Sequence, residues 1–148
     1  MKLIIDASVA VKWLVAERRD HIARDVLRDG FVLLAPDLLL TEVANALRKK
    51  VLANLLGATQ ANLGLTLLPT YFNRFFGPLE ALVEAFEMAC AINHPVADCV
   101  YLVCAIRSDA IFLADDAKLH QKAMTLGAKL RAILLINWTP GLPVSPGG

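Results

Sequence analysis

Short apolar runs alternate along this chain with longer stretches of helical periodicity. Leu3-Ile4-Ile5, Phe31-Val32-Leu33-Leu34, Ile111-Phe112-Leu113 and the segment from Leu130 to Leu135 have the length and composition of buried strands. Phe75-Phe76, just ahead of Gly77-Pro78, reads as a stub of strand. Apolar residues recur at helical spacing from Val9 to Val15, Ile22 to Leu27, Pro36-Asp37 to about Val51, Leu79 to Ile92, Pro95 to about Arg107 and Asp116 to Leu126. After Pro36, Leu39, Val43, Ala46 and Leu47 form one stripe. Gly57, Gly64 and Pro69 interrupt a less regular helical stretch. Strands alternating with helices, with few hairpin signals, predict an α/β fold with a central parallel sheet and helices on both faces. No internal repeat or linker breaks the pattern. From Pro140 to the end, three prolines and three glycines rule out a helix or a central strand, so a domain over residues 1–136 and a Pro/Gly-rich tail over 137–148 are expected.

The 148 residues suit one domain with a sizeable core. A hydrophobic share of 57% against 20% charged excludes a disordered chain. The mean hydropathy of +0.54 raises the question of a membrane. No run approaches the roughly 18 apolar residues of a spanning helix. Asp6 ends the first apolar run before a secretory core of about 7 residues can form. A soluble cytoplasmic domain with a large core or a buried subunit interface is expected. The helices carrying Trp13, Leu14, Leu38, Leu39 and Leu40 are candidate interface faces, although each of these residues singly suits the core. A net charge of +1 disfavours a bulk polycation but leaves room for a basic patch beside an acidic pocket. Cys90, Cys99 and Cys104 lack metal or redox spacing and read as small core residues in a reducing compartment. His21, His94 and His120 lie too far apart in sequence to suggest a zinc site.

In an open parallel sheet, ligands bind beyond the carboxyl ends of the strands. Asp6 ends the first strand, and Asp115 and Asp116 end the strand at Ile111-Phe112-Leu113. Glu42 and Asp98 are embedded in apolar helices, and their i+4 positions, Ala46 and Leu102, offer no ion pair. Ordinary roles remain open: Asp6 and Asp116 as helix caps, and Asp98 as a first-turn acid after Pro95. Glu42, in mid-helix, has no capping role, and Asn45 shares its face. The other acids lie on polar faces or in turns. If the four converge without a cation, their charges repel and raise each other's pKa. A divalent ion relieves this, and an all-oxygen donor set favours Mg²⁺ or Mn²⁺. Such a site suits phosphoryl chemistry, where the ion polarises a phosphate and lowers the pKa of an attacking water.

Asp6-Ala7-Ser8-Val9-Ala10-Val11-Lys12-Trp13-Leu14 resembles the opening of a PIN domain, and more narrowly of a VapC-type toxin ribonuclease. Glu42-Val43-Ala44-Asn45-Ala46-Leu47, Ala97-Asp98-Cys99-Val100-Tyr101-Leu102 and Phe112-Leu113-Ala114-Asp115-Asp116-Ala117-Lys118-Leu119 resemble the second, third and fourth motifs of that family, in order. The resemblance spans about residues 1–136. It implies a PIN-like three-layer α/β/α fold and a Mg²⁺-dependent endoribonuclease toxin, with Mn²⁺ as a substitute ion. It further implies an RNA substrate, a homodimer and neutralisation by a cognate antitoxin. Asp6, Glu42, Asp98 and Asp116 would then hold the metal, Ser8 would donate a hydrogen bond in the pocket, and Asn45 would steady Glu42 or a water. Asp115 is a rival for the fourth acid, but Lys118-Leu119 follow Asp116 at the family's offset. The motifs hold no lysine or histidine base. Lys12, Arg48, Lys49, Lys50 and Lys118 are candidates to steer the RNA backbone, or else form a solvated helix end. One position departs from the pattern: Ala114 stands where the family commonly has Thr or Ser. The alternative reading is a catalytically weak or inactive PIN-like module that binds protein partners. A phosphohydrolase with a nucleophilic aspartate fits poorly, because the second acid it needs is replaced by Ser8.

Overall fold

Residues 1–140 are described by a computed structural model of the chain. Its strands are β1 (Lys2–Ile5), β2 (Val32–Pro36), β3 (Arg74–Phe76), β4 (Ile111–Ala114) and β5 (Arg131–Leu134). Its α-helices are α1 (Ala7–Leu14), α2 (Asp20–Arg28), α3 (Leu38–Leu52), α4 (Ala58–Leu67), α5 (Leu82–Ile92), α6 (Val96–Ser108) and α7 (Ala117–Met124). The strands form one sheet in the order β3-β2-β1-β4-β5, and every neighbouring pair is parallel. Right-handed crossovers then place α1 to α4 over one face and α5 to α7 over the other, which makes a three-layer α/β/α fold. Leu3, Ile4, Ile5 and all of Ile111 to Ala114 are fully buried, as strands covered on both sides must be.

The chain leaves β1 towards one face and β4 towards the other, although the two strands are neighbours. Their carboxyl ends therefore open into the crevice where α/β sheets bind ligands.

Some boundaries differ from the sequence reading. Pro36 closes β2 instead of opening a helix, paired across from Phe76, and the next N–H, of Asp37, donates to the Phe76 carbonyl at 2.9 Å. The Phe75-Phe76 stub is thereby a true edge strand. The expected helix from Leu79 begins only at Leu82, after a 3-10 turn at Pro78–Glu80. The Glu80 carboxylate folds back onto the Gly77 N–H at 2.7 Å and so fixes that turn. At the other end, Trp138 is buried and meets the Phe31 ring edge-on at 5.3 Å between centroids. The folded unit thus extends beyond residue 136, because this ring covers the segment ahead of β2. The rest of the expected tail, residues 141–148, lies outside the described residues.

Trp13 and Leu39 are core residues, and the Trp13 indole donates to the Ala23 carbonyl at 2.8 Å. The exposed apolar side chains lie elsewhere. Leu79 is 94% exposed, and Leu82, Val83 and Phe86 of α5 stand out beside it. Among the described residues, no single helix is long and apolar enough to cross a membrane.

Candidate active site

The β1–β4 pairing runs one step past the end of β1, since the Asp6 N–H donates to the Leu113 carbonyl at 2.9 Å. This step holds Asp6 at the mouth of the crevice. Asp6 also caps α1: its Oδ2 accepts the Ser8 N–H at 3.0 Å and the Ser8 hydroxyl. The Ser8 Oγ in turn accepts the Asp115 N–H at 2.9 Å, which stitches the loop after β4 to the start of α1. Asp6 is only 7% exposed. Burial pushes its carboxyl up to about 6, the Ser8 bonds pull it back, and the negative charges of Glu42 and Asp98 add to the rise.

Glu42 projects from α3 and accepts a hydrogen bond from the Tyr101 hydroxyl at 2.7 Å. Burial raises its pKa, Tyr101 opposes the rise and the Asp98 charge adds to it. Asp98, in the first turn of α6, lies 2.8 Å from His94 Nε2. Burial again lifts its pKa, His94 counters this and Asp116 reinforces it. Asp116 caps α7 by accepting the Leu119 N–H at 3.1 Å, and it is exposed. Asp6, Glu42 and Asp98 each feel the charge of the next acid along the chain. Among the described residues, no lysine or arginine pairs with any of the four. Equally, no three His, Cys, Asp or Glu side chains among the described residues stand close enough to hold an ion as placed.

Other expected members fall differently. The Asp115 side chain is 6% exposed, gripped by Arg19 through Nε at 2.8 Å and Nη2 at 2.7 Å, with Lys12 Nζ at 3.2 Å. Its charge is spent on that pair, whereas among the described residues the Asp116 carboxylate is hydrogen-bonded only to its own helix. Lys12, expected to steer RNA, is instead buried between Asp115 and Glu17, the latter at 2.9 Å. An ammonium already paired on both sides has no charge to offer a phosphate. Lys50 is likewise paired with Glu17, at 2.7 Å. Glu42 is steadied by Tyr101; Asn45 is exposed and lines a groove of about 380 Å³ with Glu42, Ala46 and Lys49. Arg48, Lys49 and Lys118 are exposed. Ala114 is fully buried at the end of β4.

Tyr101, His94 and Arg19 escaped the sequence reading. Tyr101 stands three residues after Asp98 on an otherwise apolar helix, and His94 stands four residues before it, so both were within reach of a search on each side of that acid. Arg19 carries no local signal, because its partner is 96 residues away. It also adopts a left-handed backbone, with φ of 63°, at the start of α2.

Comparison with known proteins supplies a relationship. No curated protein sequence matches the chain. Among solved structures it is similar to the crystal structure of PAE2754 from Pyrobaculum aerophilum, with a TM-score of 0.68 and 19% identity over 92% of this chain and 88% of that one. At that identity the likeness speaks for the fold alone. Residues 3–124 match the family model of the PIN domain. That match takes in every acid of the crevice and four of the five strands, and the chain belongs to the PIN domain family.

Proposed function

We propose that this PIN domain is a divalent-metal-dependent endoribonuclease acting as a toxin, neutralised by a cognate antitoxin and working as a homodimer. PIN domains are in general nucleases and typically use divalent ions. The observation that carries the reading is the charge imbalance at the switch point. Asp6 is buried and its carboxyl is pushed up to about 6, with Glu42 and Asp98 adding to the rise and no lysine or arginine paired with the acids among the described residues. Carboxylate oxygens in this state fit a hard cation such as Mg²⁺ or Mn²⁺. Asp6, Glu42, Asp98 and Asp116 would hold it. When bound, the ion would polarise the scissile phosphate and offset the charge that builds on it.

The chain's own groups prepare the site. Ser8 orients the Asp6 carboxylate, and Tyr101 fixes one oxygen of Glu42. His94 Nε2 stands 2.8 Å from the near oxygen of Asp98. Such outer partners tune affinity by roughly 10- to 100-fold in metal sites. Arg48, Lys49 and Lys118 would draw the polyanionic strand to the acids.

The test is cleavage of single-stranded RNA after EDTA treatment. Mg²⁺ or Mn²⁺ restores activity and Asp6→Asn abolishes it. Persistent cleavage in excess chelator overturns the metal requirement. The second reading, a partner-binding module with weak or lost catalysis, is favoured by the missing hydroxyl at Ala114 and by the acids not being closed up among the described residues. Calorimetric titration of Mn²⁺ in the presence of RNA separates the two: millimolar or absent binding supports the module.

A further inference from the structure

Two concavities flank the four acids, and they differ in kind. On one side is the shallow groove along α3, where Lys49 and Asn45 border Glu42. On the other, between the start of α6 and α7, is a cavity of about 730 Å³. Asp98 and Asp116 stand at its edge, Pro95 and Leu119 supply apolar wall, and Lys118 and Gln121 supply polar groups. The α3 groove is about half that size, at about 380 Å³, and Lys49 borders it, which suits it to tracking a backbone. The α6–α7 cavity falls within the roughly 300–1,000 Å³ of small-molecule sites and pairs apolar surface with a few directed polar groups, as such sites do.

We propose that the α6–α7 cavity is a nucleoside subsite, which receives one base next to the bond that is cut; this rests on the nuclease reading above. A phosphate placed against Asp98 and Asp116 leaves the adjoining nucleoside no farther to travel than the cavity mouth. The exposed ring of Pro95 offers the base an apolar face, and buried Leu119 backs the wall behind it. Lys118, exposed in the first turn of α7, faces the negative charge of the flanking phosphate. Gln121, one turn further on, carries both a donor and an acceptor for a base edge. The wall is braced from behind, because Lys122 Nζ donates to the Ile92 carbonyl at 3.0 Å and ties α7 to the end of α5. Base preference in cleavage therefore belongs to the α6–α7 side, and general affinity for the strand to the α3 side.

The experiment uses the full chain carrying Asp6→Asn, so that RNA is bound and not consumed. Each of the four nucleoside 5′-monophosphates is titrated in, with ribose 5-phosphate and inorganic phosphate as controls, and backbone amide shifts are followed by NMR. Nucleotides are expected to move the amides of His94, Asp98 and the stretch from Lys118 to Thr125, with one base favoured and the controls weaker. Gln121→Trp, an exposed position on a helix, fills the cavity; it is expected to weaken nucleotide binding by roughly tenfold or more, the equivalent of losing one stacked base. In the otherwise native chain, Gln121→Trp is expected to change which bases are cut in a randomised RNA. Equal shifts from ribose 5-phosphate and from nucleotides would overturn the proposal, as would an unchanged cleavage pattern in Gln121→Trp. In both cases metal-dependent cleavage by the native chain keeps the nuclease reading standing. Cavity shifts with nucleotides but no metal-dependent cleavage would leave a nucleoside site in the cavity while overturning the nuclease reading and, with it, the subsite's place beside a cut bond.

Discussion

The Oδ2 atom of Asp6 accepts two hydrogen bonds from Ser8, yet burial and two neighbouring acids keep the carboxyl near a pKa of 6. Capping and clustering looked like rival roles in the sequence; Asp6 and Asp116 each cap a helix and sit among the acids at once. The raised pKa means that folding disfavours the ionised carboxylate. Without metal, the stability that Asp6 contributes is fully present below its ordinary pKa, 3.8, and is lost as pH rises through about 6. Asp6→Asn keeps the cap acceptor and removes the charge. In EDTA the variant is therefore expected to match the native chain near pH 4 and to exceed it by roughly 3 kcal/mol at pH 7 to 8, measured by urea denaturation. A difference that stays constant with pH would show that the charge is already compensated. Tyr101→Phe tests the Glu42 anchor in a similar way. It removes one hydroxyl from a fully buried ring and should cost about 1 kcal/mol of stability. Mn²⁺ affinity should fall by roughly tenfold, measured by calorimetry. The four acids stood out because each abuts or interrupts an apolar segment, although capping or dipole roles stayed open for all but Glu42. Tyr101 did not, because an aromatic on an apolar helix reads as core, and its ring is core; only the hydroxyl belongs to the site.

At the level of elements, the apolar runs announced the strands well. A run covered on both faces must be continuous, and β1 and β4 are fully buried from Leu3 to Ile5 and from Ile111 to Ala114. Ends were harder to read, since a proline fits both the close of an edge-paired strand and the first turn of a helix, and Pro36 took the former. The link between the loop after α1 and the loop after β4 was invisible, because Arg19 and Asp115 meet only once the sheet has formed. That link makes adjacent acids behave differently. Asp115→Asn removes the carboxylate charge that faces buried Lys12 and should destabilise the fold by about 2–4 kcal/mol, with the Arg19 share reduced by its partial exposure. Asp116→Asn retains a cap acceptor and should stay within about 0.5 kcal/mol of native stability while losing cleavage. Thermal melts and RNA assays on the two variants decide the register of the fourth motif; the reverse pattern would assign Asp115 to the metal.

Across the whole molecule, the site is an outcome of strand order. Neighbouring β1 and β4 send their chains to opposite faces, α3 and α6 close the crevice from either side, and each of the four segments brings one acid. The apolar excess of the sequence is met partly by the core and partly by the exposed row on α5, where Val83 and Phe86 face outward while Ala85 and Ala89 pack inward. A contiguous apolar face of this kind marks an interaction surface in many proteins. If the proposed homodimer uses it, Phe86→Glu converts a dimer to a monomer in light scattering at micromolar concentration; a native chain that is already monomeric sinks the dimer.

Strand order also governs what happens if the backbone is cut at the exposed turn around Asn54, between α3 and α4. One piece keeps Asp6 and Glu42 with β1 and β2; the other keeps Asp98 and Asp116 with β3, β4 and β5. In the sheet, the first pair of strands slots between β3 and β4 of the second piece, so neither half completes the sheet by itself. If the chain cleaves RNA as proposed, scission would be silent in each fragment alone and would return only where the halves are brought together.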